Sequence, residues 1–223
     1  GALAVWEGLD LAGLPADQQA NLQMIRMSVL RYRQAPAEAR PEIDRLAALT
    51  NADADPQARF YARLFRAAAA GLADDHEAAW ALSQEAAADN PMALTEWLFQ
   101  AADAAIGLRD PERVAAVRLA LDQARPPGRT YAALRAELTA AEAALAGRTA
   151  DAVAGFATAR LLWEELGLKL YVAQNLIRTA LLCSPDPEAA AAAAAARRLT
   201  AEMGAPVLAA LLDRAGAVLP ADA

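Results

Sequence analysis

The densest polar cluster in this 223-residue chain is Asp74-Asp75-His76-Glu77. Three carboxylates around an imidazole have the makings of a metal site or an acid/base group. The same four residues also suit a helix start. Acidic side chains there accept from free backbone N–H groups and sit at the positive end of the helix dipole. The helix start is the preferred reading. The aspartate-rich motif of helical prenyl-transferring enzymes would need a second aspartate pair spaced along a helix, and none follows Asp74-Asp75. Asp53 and Asp55 precede Pro56 and read as a cap and loop. Arg197-Arg198 reads as a solvated pair that can meet an acidic partner.

The remaining reactive groups are few. There is one cysteine, Cys183, and one histidine, so a disulfide within the chain is impossible and a Cys/His zinc site is disfavoured. Cys183 ends the apolar run Ala180-Leu181-Leu182-Cys183, which predicts a buried, inert thiol. The motifs G-x-x-x-x-G-K-[ST], G-x-G-x-x-G, H-E-x-x-H and G-x-S-x-G are all absent. The chain is therefore expected to be non-catalytic, with no catalytic residues, no metal and no cofactor.

Charge narrows the partners. The 28 acidic residues outnumber the 21 basic ones, and the net charge is -7. A nucleic-acid binder carries a basic stripe, so direct nucleic-acid binding is not expected. No apolar stretch reaches the ~18 residues of a membrane span. The eight alanines of Ala189 to Ala196 are too short and too weakly hydrophobic to insert. The start, Gly1-Ala2-Leu3-Ala4-Val5-Trp6-Glu7, has no basic region or long apolar segment of a secretory signal. A cytoplasmic location is expected. The missing initiator methionine suggests a piece of a longer protein, and a processed N-terminus would look the same.

The elements that would position any site are helices. Pro15, Asp55-Pro56, Asn90-Pro91, Asp110-Pro111 and Asp186-Pro187 are helix-start signals. Gly71, Gly107, Pro126-Pro127-Gly128, Gly147, Gly167 and Gly204 are stop signals. Between them run segments with apolar residues three and four apart, and no segment alternates as a strand would. The expected helices are 16–34, 37–49, 56–72, 75–89, 91–107, 111–125, 129–146, 150–166, 168–183, 187–203 and 205–217. Their short loops make neighbours antiparallel. Hydrophobic residues make up 57% of the chain but aromatics only 5%, which favours many closely packed helices over a thick core.

These helices repeat. Steps of 37, 37, 39 and 37 residues give the column Ile43, Trp80, Val117, Phe156, Ala193. Thirteen residues earlier lies Leu30, Ala67, Ala104, Ala143, Ala180. Three residues after the first column come Leu46, Ser83, Ala120, Ala159, Ala196. All are apolar or small. The fold class read from this is all-α: an α-solenoid of about five antiparallel helix pairs plus a C-terminal capping helix. It occupies 15–219, after an irregular arm at 1–14 and before a tail at 220–223.

The unit 133–166 resembles the tetratricopeptide repeat. Gly147, Ala152, Phe156 and Ala159 stand at that family's spacing for glycine, alanine, aromatic and alanine. Ala140 and Ala143 sit where its first helix carries a small residue and then, usually, a tyrosine. Trp97 and Phe60 fall in its tryptophan column. The period, nearer 37 than 34 residues, departs from the family. His76 and Arg113 stand where alanine is usual, and most units lack the closing proline. The phrase Ala159-Arg160-Leu161-Leu162-Trp163-Glu164-Glu165-Leu166-Gly167 looks like the C-terminal repeats of large bacterial LuxR-type regulators and multidomain adenylate or guanylate cyclases.

The resemblance implies that the first helix of each pair lines a concave groove. Projected onto that groove, the contact candidates are Tyr61, Phe65, Glu137, Tyr171, Gln174 and Arg178. Tyr61 and Phe65 would anchor an apolar peptide, while Gln174 and Arg178 would hold a carboxylate or polar head. The resemblance further implies a protein-interaction or regulatory sensor module of a bacterial signalling or transcriptional regulator. Its partner would be a protein, a peptide or a small inducer. Two alternatives stand beside it. One is a structural oligomerisation domain, forming a homodimer through the apolar C-terminal helix. The other is an all-helical enzyme built on Asp74 to Glu77.

Overall fold

Proline and aspartate at helix starts do what their chemistry predicts. The computed structural model describes residues 56–90 and 94–216 continuously, with isolated positions among 13–48. The described helices are α1 (Pro56–Leu72), α2 (His76–Asp89), α3 (Leu94–Gly107), α4 (Pro111–Ala124), α5 (Arg129–Leu145), α6 (Thr149–Glu165), α7 (Lys169–Leu182), α8 (Pro187–Met203) and α9 (Pro206–Gly216). The described residues contain no strand, so the fold is all-α. The helices expected at 16–34 and 37–49 fall almost wholly outside the described residues, as do the arm at 1–14 and the tail.

The helix ends are set by local hydrogen bonds. Asp110 Oδ1 accepts from the N–H groups of Glu112 and Arg113, and Asp186 Oδ1 accepts from that of Glu188. In both cases proline fills the first helical position, where its missing N–H costs nothing. At the other end, Gly147 and Gly167 take positive φ values of 76° and 69°. The following N–H groups, of Arg148 and Leu168, then reach back to the carbonyls of Ala143 and Trp163. The same backward reach, Asp75 to Ala70 and Asp110 to Ala105, is made with Asp74 and Arg109 in the left-handed region instead of glycine. The glycine stop signals of these two helices, Gly71 and Gly107, lie in their last turns, and the left-handed position falls to a non-glycine residue.

The chain forms two compact units, Gly1–Ala101 and Ala102–Ala223, with the division inside α3. In the first, α1 packs against α2. It buries Phe60, Leu64 and Phe65 on one side, and α2 presents the small residues Ala79, Ser83 and Ala86. Arg63 pairs with Glu85 and Asp89, and Arg59 with Asp89, so the two helices are also joined by charge.

In the second unit, α5 packs on α6 and α7 on α8, while α4 lies against α5 and α7 against α6. The closest approach is at Gly155, where an added Cβ would stand 2.9 Å from the Cβ of Ala140. The large buried side chains of this unit include Phe156, Trp163, Leu121, Leu134 and Leu138. The alanine-rich α8 buries Ala189, Ala192, Ala196 and Thr200, a stripe at helical spacing. A ladder of Arg118, Asp122, Arg135 and Glu142 links α4 to α5 at 2.6–3.0 Å. The Arg135 hydrogen bond holds the Asp122 carboxyl below its ordinary range. The last helix, α9, lies on α8 and α7 and buries Val207, Leu208 and Leu212. Those three side chains are covered within the chain, while Leu211 is partly exposed and Ala210 is exposed.

Candidate functional site

Most of α7 is apolar, and four of its polar residues follow the helical period. Tyr171, Gln174, Asn175 and Arg178 are separated by three, one and three residues, which puts them along one side of the helix. Glu137 interrupts the buried stripe of α5 between Leu134, Leu138 and Ala141. Trp163 ends the buried stripe of α6, and Asp103 lies on the C-terminal half of α3. All of these belong to the second compact unit.

They meet around Glu137, which is 1% exposed. A carboxylate so far from water must be satisfied within the protein. Arg178 Nη1 lies 2.9 Å from Glu137 Oε1. Asn175 Nδ2 donates to the same oxygen at 3.1 Å. Trp163 Nε1 donates to Oε2 at 3.4 Å. Arg178 Nη2 continues the network to Asp103 Oδ1 on α3. One carboxylate thus joins three helices, and one guanidinium adds a fourth.

Burial disfavours the charged form of Arg178, but the nearby carboxylates of Glu137 and Asp103 more than offset it. The net effect holds the guanidinium above its ordinary range, so it stays charged and moves no proton near neutral pH. The ring of Tyr171 stacks on that of Trp163, with centroids 4.7 Å apart and planes 19° from parallel. Asn175 is completely buried, and its Oδ1 has no hydrogen-bond donor. The amide's orientation is fixed, because a flip would turn that oxygen onto the Glu137 carboxylate.

The six sequence candidates therefore divide. Glu137, Tyr171 and Arg178 lie in or beside one network, and Gln174 is a partly exposed neighbour on the same helix. Tyr61 and Phe65 are on α1, in the other compact unit. Phe65 is buried, and Tyr61 makes an edge contact with Phe60 at 5.2 Å. The sequence reading offers Arg178 to a ligand carboxylate. Here its guanidinium is held by two carboxylates of the protein itself. Asp103 and Asn175 were not among the candidates. The legible signal for Asn175 was the polar pair Gln174-Asn175 set between Val172-Ala173 and Leu176-Ile177.

The other chemistry-bearing residues have structural surroundings. Asp75 is the cap of α2, accepting from the N–H of Ala78 at 3.1 Å. His76 Nε2 lies 3.2 Å from Asp74 Oδ1, and Asp74 itself is the left-handed residue that ends the α1 turn. Cys183 is fully buried, as its apolar run predicts, and burial pushes its thiol up to about 11. Among the described residues, no group of three or more His, Cys, Asp or Glu side chains could hold a metal ion. None of the described helices is long and apolar enough to cross a membrane.

The class that these features define is an all-helical protein with a buried ion-pair network in its second unit. No family model, curated protein or solved structure matches the chain.

Proposed function

We propose that the chain is a non-catalytic binding and regulatory module, built from tetratricopeptide-like helix pairs and belonging to a larger bacterial signalling or transcriptional regulator. It works in the cytoplasm and takes a peptide, protein or small inducer on the side formed by the first helix of each pair. The observation that carries this reading is the network at Glu137. Asp103, Glu137 and Arg178 come from α3, α5 and α7, the first helices of three successive pairs, and they meet in one place. A buried ion pair is weak evidence for stability, because apolar side chains of the same volume do that work as well. Polar groups gathered on the proposed recognition side fit a binding role better. The burial of Ala67, Ala104, Ala143 and Ala180, one per first helix, supports equivalence of the pairs.

The test is affinity purification of the tagged chain from its native host, with mass spectrometry of what is retained. The comparison is a Tyr171→Ala/Gln174→Ala variant, chosen because neither residue is an ion-pair member and the fold should survive. The wild type is expected to retain a species that the variant loses. Identical sets from both proteins, with unchanged circular dichroism, would reject the groove.

A further inference from the structure

The Glu137 network contains one demand that the described protein does not meet. Asn175 is 0% exposed, and its Oδ1 is buried without a donor, although its Nδ2 is well bonded. A buried carbonyl oxygen left unmatched costs its full desolvation. Evolution has a simpler choice available, because Leu fills nearly the same space with no polar atom. The neighbouring residues sharpen the chemistry. Of the three charged side chains that meet there, Glu137 and Asp103 are negative and Arg178 is positive. The Glu137 carboxylate lies just across the Asn175 amide, so a donor that also carries positive charge is favoured there. Tyr171 is partly exposed, and Asp103 is the most exposed of the charged members, at 36%. The Tyr171 ring stacks on Trp163 by one face, and an aromatic ring suits a cation that has left water.

We propose that Asn175 Oδ1, Glu137 and Asp103 form a receptor for a protonated amine or guanidinium group. The group enters beside Tyr171 and donates its N–H to Asn175 Oδ1, with Arg178 remaining on its carboxylates. This deepens the binding-module reading and rests on it. The cationic group belongs either to a small alkyl amine or to a lysine or arginine side chain of a peptide.

The probes are n-butylamine, n-butylguanidine, a capped Gly-Arg-Gly peptide and, as a neutral control, n-butanol. Each is titrated into the wild-type chain while the indole N–H resonance of Trp163 is followed, assigned with a Trp163→Phe variant. Thermal melting is measured in parallel. A cationic probe at about ten times its dissociation constant is expected to raise the melting midpoint by a few degrees. It should also shift the Trp163 signal, because that N–H shares Glu137 with the site. Asn175→Leu should abolish both responses. A response to the amines identifies a small-molecule ligand, and a response to the peptide alone identifies a protein partner's side chain. No response to any cation, an equal response to butanol, or binding that leaves Trp163 unmoved would overturn the proposal. If the amines do nothing while Tyr171→Ala/Gln174→Ala still loses a co-purifying species, the module reading survives and the cation receptor falls.

Discussion

At the scale of single residues, the molecule's least ordinary investment is a carboxylate sealed among alanines and leucines. Glu137 is tolerated because three donors reach it, and Arg178 is tolerated because Glu137 and Asp103 reach it. Neither is stable alone. Glu137→Leu should therefore cost about 3–5 kcal/mol, since it leaves the buried Arg178 with Asp103 alone and the Trp163 and Asn175 donors without their acceptor. The double variant Glu137→Leu/Arg178→Met should regain most of that loss, and urea unfolding of the four proteins of the cycle measures it. Additive losses would mean that the two side chains are not coupled. Part of this was legible: Glu137 and Arg178 stood out as polar residues on positions projected from first helices. Their pairing was not, because nothing in a 41-residue separation says that two side chains meet. Asp103 was missed for the same reason. It looks like a surface residue beside Ala102 until α7 brings a guanidinium to it.

Helices were the most legible level, and the reason is chemical. Asp-Pro at 110–111 and 186–187 caps and opens a helix by forces that act within four residues, so the sequence carries the whole signal. The boundaries of α1 and α8 match the expected 56–72 and 187–203. Where Asp74 and Arg109 take the left-handed role of glycine, no residue type announced it. Packing between helices is less local still. Gly155 reads as a weak point in α6, yet its missing side chain is what lets α6 approach Ala140. Gly155→Ala gains up to about 1 kcal/mol of helix propensity. The new Cβ would lie 2.9 Å from the Ala140 Cβ and 3.3 Å from its Cα, and backbone cannot swing aside. Overpacking of this kind costs about 1–3 kcal/mol, so the substitution should be destabilising on balance. Ala140→Gly added to it should restore part of the loss in thermal melts. A more stable Gly155→Ala protein would show that the helices separate at little cost.

At the scale of the whole chain, stability depends on how helices cover one another. The column residues Ala67, Ala104, Ala143 and Ala180 are all buried, and within the second unit the helices from α4 to α9 pack in succession, each on the next. Stacking always leaves an end. In the second unit the end is covered by α9, which lays Val207, Leu208 and Leu212 against α7 and α8 and ties Arg197 to Asp213 at 2.8 Å. The apolar sequence of this segment invites a reading as a self-association surface. The burial of Val207, Leu208 and Leu212 against α7 and α8 also suits a second task, to shield those two helices from water. A chain ending at Gly204 tests that task. Without α9, the faces of α7 and α8 that it covers become a continuous apolar patch, and burying such a patch against a second copy is the cheapest remedy. The truncated protein should melt several degrees lower than its parent and show concentration-dependent association by light scattering, while keeping its helical circular dichroism. If it stays monomeric with an unchanged midpoint, α9 is no cap, and the stability of the second unit resides in α4 to α8 alone.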